Sequence, residues 1–185
     1  MRLFLAINLP DREREAVYGA AAPLREVGLP VRWVETESLH VTLKFLGWVR
    51  PEHVGRVERA MAEAAAKTQP FEMSIGGLGA FPSLRRPRVI WLGVEATPPL
   101  RCLKHDLEWQ FAPLGYEREV RAFQPHITLG RAGRDAAAGE FRDLEALCAR
   151  VDHRAVVPVD RIDLMRSELS RAGARYERIA SAALG

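Results

Sequence analysis

His40-Val41-Thr42-Leu43 and His126-Ile127-Thr128-Leu129 spell one word twice, 86 positions apart in a chain of 185 residues. A β-strand sends alternate side chains to opposite faces, so each copy sets an imidazole beside a hydroxyl. The surroundings, SLHVTLKFLG from Ser38 and FQPHITLGR from Phe123, are rich in β-branched and aliphatic residues, and a glycine, Gly47 or Gly130, closes each run. Strict alternation puts His40, Thr42 and Lys44 on one face and Val41, Leu43 and Phe45 on the other. In the second copy it opposes His126, Thr128 and Gly130 to Ile127, Leu129 and Arg131. The apolar set is expected in a core and the His/Thr set in a cleft. A lone strand histidine is usually a satisfied core or surface residue. Its repetition with the same polarity pattern marks a symmetric acid/base pair.

With 48% hydrophobic residues, the chain can bury a substantial core within the size of one domain, 1–185, with two lobes. It contains no run of eighteen apolar residues, and the opening MRLFLAINLPDRERE reads as a first strand rather than a signal peptide. A cytoplasmic protein without a membrane partner is expected. Cys102 and Cys148 lack the spacing of a zinc site or disulfide framework and read as buried small hydrophobes. The net charge is only +3, but Lys44, Lys67 and Lys104 are the sole lysines among 27 basic residues. Guanidinium groups bind phosphate bidentately, which suits a phosphorylated or nucleic-acid partner.

Along the chain, RLFLAINLP reads as a strand and 11–27 as a helix. Strands follow at VRWVE and around His40, then a helix over 51–67. FEMSIGGLGAF and PRVIWLGVE read as two strands joined by a turn at 82–87, and PPLRCLKHDLEWQFAPLG has helical spacing at Leu100, Leu103, Leu107 and Phe111. A strand near EREVRAF, the His126 strand and a helix over 138–150 come next. RAVVPVDRIDLMRSEL and ARYERIASAAL complete the chain as a hairpin turning at 171–173. The two halves look alike. The expected fold is α+β, a pseudo-twofold duplication with two antiparallel sheets, helices outside and a central cleft carrying both motifs. The glycine patch 75–79 lacks the spacing of a nucleotide-binding loop and reads as strand and turn.

From FLAINLP through LHVTLKFLG, PRVIWLGV and FQPHITLGR to DLMRSELSRAGARYERI, the chain resembles the 2H phosphoesterases, in particular the RNA 2',3'-cyclic phosphodiesterases also named 2'-5' RNA ligases. The resemblance implies a bilobal fold, no metal or other cofactor, and hydrolysis of an RNA or nucleotide 2',3'-cyclic phosphate to a 2'-phosphate by a monomer. It also implies that His40 donates a proton to the leaving 3'-oxygen while His126 activates water. The sequence itself leaves the order of the two roles open. Histidine suits both, because its ordinary pKa lies near neutrality. Thr42 and Thr128 are expected to donate hydrogen bonds to the non-bridging oxygens. Arg131 is a candidate phosphate contact, although alternation points it away from His126 unless the chain turns at Gly130.

Lys44, on the histidine face, is a comparable candidate. Arg85, Arg86 and Arg88 read as a solvated turn or a track for an RNA backbone. Trp33, Phe45 and Phe123 flank the motifs as core or base-stacking residues. Glu35, Glu37, Asp163 and Glu168 are candidates to orient an imidazole. His53, His105 and His153 have no patterned partner. A non-catalytic module for a nucleotide or RNA end, an enzyme for another cyclic phosphate on a small nucleotide, and a zinc enzyme remain alternatives.

Overall fold

The computed structural model describes residues 1–170 and 173–185. All strand pairings are antiparallel. On one side, β1 (Arg2–Asn8) lies between β3 (His40–Trp48) and β8 (Arg161–Ser170), and β8 pairs with β9 (Gly173–Ala183). On the other, β4 (Phe71–Phe81) lies between β5 (Val89–Val94) and β7 (Arg154–Val159), and β5 pairs with β6 (His126–Ala132). The strand order is β7-β4-β5-β6-β3-β1-β8-β9.

The expected pair of sheets is thus one continuous sheet, but its middle is a seam of a single residue pair, Val41 with Ile127. A short strand, β2 (Val31–Trp33), explains why. It occupies the same edge of β6 over Gly130–Ala132, so β3 diverges after one contact.

Among the described residues, five α-helices cover the sheet: α1 (Asp11–Ala20), α2 (Ala22–Glu26), α3 (Val54–Ala65), α4 (Pro98–Phe111) and α5 (Leu144–Ala149). The prolines of α4 stand in its first turn, where no backbone N–H is needed. Leu100, Leu103, Leu107 and Phe111 are 0% exposed, each burial favouring the fold by about 1.5–3 kcal/mol. They meet Leu5, Leu43 and Ile127 in the main core. A smaller core gathers Leu24, Ile90, Phe141, Leu144 and Cys148, whereas Cys102, expected buried, is exposed because it falls off the buried stripe of α4.

Several elements differ from expectation. The helix over 11–27 is broken at Ala21, because Pro23 lacks an N–H and its ring opposes the carbonyl four residues back. The helices expected over 51–67 and 138–150 each begin with a 3₁₀ turn, at Pro51–His53 and Ala138–Phe141. RAVVPVDRIDLMRSEL is two strands that separate at Asp160, β7 joining β4 in one half and β8 joining β1 in the other. EREVRAF forms no strand: buried side chains hold the backbone of Glu117 and Glu119 in place of a ladder. The β8–β9 hairpin is present, while the turn expected at 171–173 includes residues 171 and 172, outside the described residues.

Candidate active site

Around the Val41–Ile127 pair, antiparallel register sets His40 opposite Thr128 and Thr42 opposite His126. Val41 and Ile127 are fully buried, so the four polar side chains share the opposite face. Diagonal neighbours on such a face lie about 7–8 Å apart, which leaves room for one tetrahedral group between the two imidazoles.

Both motifs are bulged at the same letter. The β1–β3 register steps from Ala6↔Thr42 to Leu5↔Lys44, passing over Leu43, and the β5–β6 register steps from Trp91↔Thr128 to Ile90↔Gly130, passing over Leu129. An extra residue reverses the alternation beyond it. Lys44 therefore points into the protein, 4% exposed, while Phe45 is turned out to 67%. This corrects the placement of both and removes Lys44 from the candidates for phosphate contact. Arg131 is carried to the histidine face by the same device, with the bulge at Leu129 supplying the turn that strict alternation lacked. Arg131, His40, Thr42 and Thr128 line one cavity of about 400 Å³, with Trp33 and Phe45 on its wall. His126 does not line this cavity and approaches from across the seam.

The two rings are held alike. The Nδ1–H of His40 donates to the Ser38 carbonyl at 2.7 Å, and that of His126 donates to the Gln124 carbonyl at 2.8 Å. A carbonyl only accepts, so each Nδ1 carries the hydrogen and Nε2 is the acceptor nitrogen of the neutral ring. Nε2 of His40 lies 3.2 Å from the Thr42 hydroxyl. Backbone carbonyls thus do what Glu35, Glu37, Asp163 and Glu168 were candidates to do. Asp163 instead accepts from Asn8 at 2.6 Å and from Ser181, Glu168 pairs with Arg166, and Glu35 lines the cavity.

Burial pushes the His40 pKa down from 6.5 to about 4. The Ser38 hydrogen bond opposes the shift, and the positive charges of Arg14, Arg131 and His126 add to it. In the free site His40 is therefore neutral at pH 7.

Behind the first motif lies a buried ion cluster that the sequence did not disclose. Glu108 of α4 accepts from Lys44 at 2.5 Å and from Lys104. Burial works against its charge, but the two ammonium groups hold its carboxyl below the ordinary range. Lys104 also donates to the carbonyl of Leu43, the bulged residue, at 2.8 Å. Lys44 donates to the Glu117 carbonyl at 2.9 Å, and the Glu119 N–H donates to Glu108 at 3.1 Å. One carboxylate thereby fixes both the bulge that aims the first motif and the segment leading to His126.

Aromatic residues outside the motifs complete the walls. Phe4 and Tyr176 stand 5.0 and 5.1 Å from the His40 ring. Phe81 and Trp91 stand 5.0 and 6.3 Å from that of His126. Their only sequence signal is a place on strands whose register emerges in the fold. Trp91 lies flat over Gly79, where a Cβ would collide with the indole. Phe123, by contrast, packs against the core. His53 and His153 lie outside the cavity, and His105 faces Trp109 at 5.9 Å. Among the described residues, no three His, Cys, Asp or Glu side chains form a metal donor set, and no helix is long and apolar enough to cross a membrane.

Comparison with known proteins identifies the family. Residues 14–171 match the model of the 2'-5' RNA ligase superfamily. The chain is 36% identical over 183 residues to a Methanothermobacter thermautotrophicus protein named RNA 2',3'-cyclic phosphodiesterase, covering 95% of each. It is 40% identical over 134 residues to an Archaeoglobus fulgidus protein of the same name, covering 72% of this chain and 74% of that one. Among solved structures, a Thermus thermophilus protein superposes with a TM-score of 0.82 at 30% identity over 100% of this chain and 98% of that one. E. coli LigT complexed with 3'-AMP superposes with a TM-score of 0.73 at 29% identity over 99% and 97%. The chain belongs to the 2'-5' RNA ligase superfamily, the 2H phosphoesterases.

Proposed function

We propose that this protein hydrolyses 2',3'-cyclic phosphate ends of RNA to 2'-phosphates without a metal, and that His40 and His126 carry the protons. The observation that carries the reading is the matched fixing of two diagonal imidazoles, each with Nδ1 tied to a carbonyl two residues back and Nε2 left for chemistry. The printed names of the relatives support the substrate.

Bound between the rings, the cyclic phosphate meets water activated by His126. Nε2 of His126 takes a proton as the water oxygen bonds to phosphorus. The P–O3' bond breaks, and the 3'-oxygen receives the proton on Nε2 of His40. The products are a 2'-phosphate and a free 3'-hydroxyl, and solvent exchange returns both rings to their starting states. Thr42, Thr128 and Arg131 face the charge that gathers on the non-bridging oxygens, where preorganised donors are most effective.

Protonation of His40 accompanies binding. Burial is the main cause that holds His40 neutral in the empty site, and a bound phosphate anion favours its imidazolium by placing a negative charge beside it. Run backwards, with an RNA 5'-hydroxyl in place of water, the same groups form a 2'-5' linkage.

Residues 1–185 act as one two-lobed domain, a monomer in the cytoplasm. Its halves descend from a duplication, supported by the four-strand path on each side of the seam and by the matching bulges at Leu43 and Leu129. A short RNA ending in cyclic phosphate, incubated in excess chelator, tests the reading. The wild-type protein turns it over, and His40→Ala and His126→Ala each lose about 10²- to 10⁴-fold while remaining folded. Near-normal turnover by either variant, or activity lost to chelator and restored by zinc, overturns the mechanism.

A further inference from the structure

Two stretches that meet in the fold contain no carboxylate: residues 73–94, which hold Arg85, Arg86 and Arg88, and residues 120–134, which hold Arg121, Arg131 and Arg134. The first is the β4–β5 hairpin with its tip, and the second leads into and through β6. They are neighbours: Val89 pairs with Arg131, and the Ala132 N–H donates to the Arg88 carbonyl at 3.1 Å. All six arginines are exposed. Among the described residues none of them forms an ion pair with Asp or Glu. Carboxylates flank the two stretches, Glu72 and Glu95 at the ends of the first and Glu119 and Asp135 at the ends of the second, and Glu119 is already held by Lys104.

This positive surface adjoins the site. Phe81, whose ring stands 5.0 Å from that of His126, is the last residue of β4, and the hairpin tip begins at the next position. Arg85 is four residues beyond it, within about 14 Å even along a fully extended chain. Arg86 and Arg88 border a hollow of about 240 Å³ with Gly133 and Phe141, and Gly133 follows Arg131 by two residues.

We propose that the hairpin tip, through Arg85, Arg86 and Arg88, binds the phosphodiester backbone of single-stranded RNA upstream of the end that enters the cavity. The inference rests on the reading of the cavity as a site for a cyclic-phosphate end. A cyclic phosphate occupies the 3' terminus of a strand, so all other nucleotides lie on its 5' side and must leave across one rim. The acid-free rim attracts them, and its arginines contact phosphate rather than base, giving length dependence with little sequence preference. A mononucleotide is too short to reach the tip.

The test compares wild type with Arg85→Gln/Arg86→Gln/Arg88→Gln in two measurements. Affinity for a fluorescent ten-nucleotide single-stranded RNA, followed by anisotropy over a range of salt, reads the tip directly and needs no turnover. The expected result is that wild type binds with a steeper salt dependence, and that the variant binds about ten-fold more weakly at low salt with a log–log slope reduced by about two. Hydrolysis of 2',3'-cyclic AMP, which reads the cavity, stays within two-fold of wild type. Equal RNA affinity and slope for the two proteins overturns the proposal, as does a parallel loss on the mononucleotide. If neither protein hydrolyses the mononucleotide, the catalytic reading fails while the binding measurement still decides the role of the tip.

Discussion

The His40 imidazole is buried enough that its proton depends on what occupies the site. With a folded-state pKa of about 4 against an ordinary 6.5, the free protein holds it uncharged at neutral pH. Because the folded value lies below the unfolded one, His40 supports folding fully above about pH 6.5, and this support is lost as the pH falls through 6.5 toward about 4. Two outcomes follow. The His40 ring protons, followed by NMR, titrate near pH 4 in the free protein and at higher pH when 2'-AMP is bound. Thermal melts of His40→Gln lose less stability than wild type between pH 7 and pH 4.5. A His40 midpoint indifferent to 2'-AMP would show that phosphate does not reach the ring. The histidines and threonines were legible because each pair has a period of two on a recognisable strand. The aromatic residues facing them were not, because Phe4, Tyr176, Phe81 and Trp91 meet the rings only through cross-strand register.

At the level of elements, the bulge after each threonine separates what alternation suggests from what the strand does. Bulge position depends on the partner strand, so LHVTLKFLG alone gives no sign that Lys44 turns inward and Phe45 outward. Helix α4 was legible by its apolar spacing, but the role of its Glu108 was not, since Lys44 and Lys104 converge on it from different elements. Removing one member of a buried ion cluster leaves the others uncompensated. Glu108→Ala should therefore cost about 3–5 kcal/mol in urea unfolding, and it should lower turnover in the fraction that remains folded, because Leu43 and residues 117–119 lose their anchor. A loss below about 1 kcal/mol would mean that both lysines find water instead. The EREVRAF segment misled for a related reason: its alternation resembles a strand, while its backbone is engaged by the lysine and glutamate of this cluster.

Across the whole molecule, the two motif strands β3 and β6 pair at a single position, and that narrow seam sets the two motif faces side by side. The repeated word made the α+β class and the common face of the two motif strands readable. The path of the chain was less so: nothing in RAVVPVDRIDLMRSEL apart from Pro158 and Asp160 marks where it leaves one half for the other, and the strand order follows from that crossing. What the assembled molecule does to a substrate is decided by which ester bond breaks. End-group analysis of a short RNA bearing a 2',3'-cyclic phosphate, after incubation with the wild-type protein, reads this directly. The proposed assignment, with His40 as the acid to the 3'-oxygen and His126 as the base, predicts a 2'-phosphate with a free 3'-hydroxyl. A 3'-phosphate, or a cyclic end bound but left intact, would contradict it.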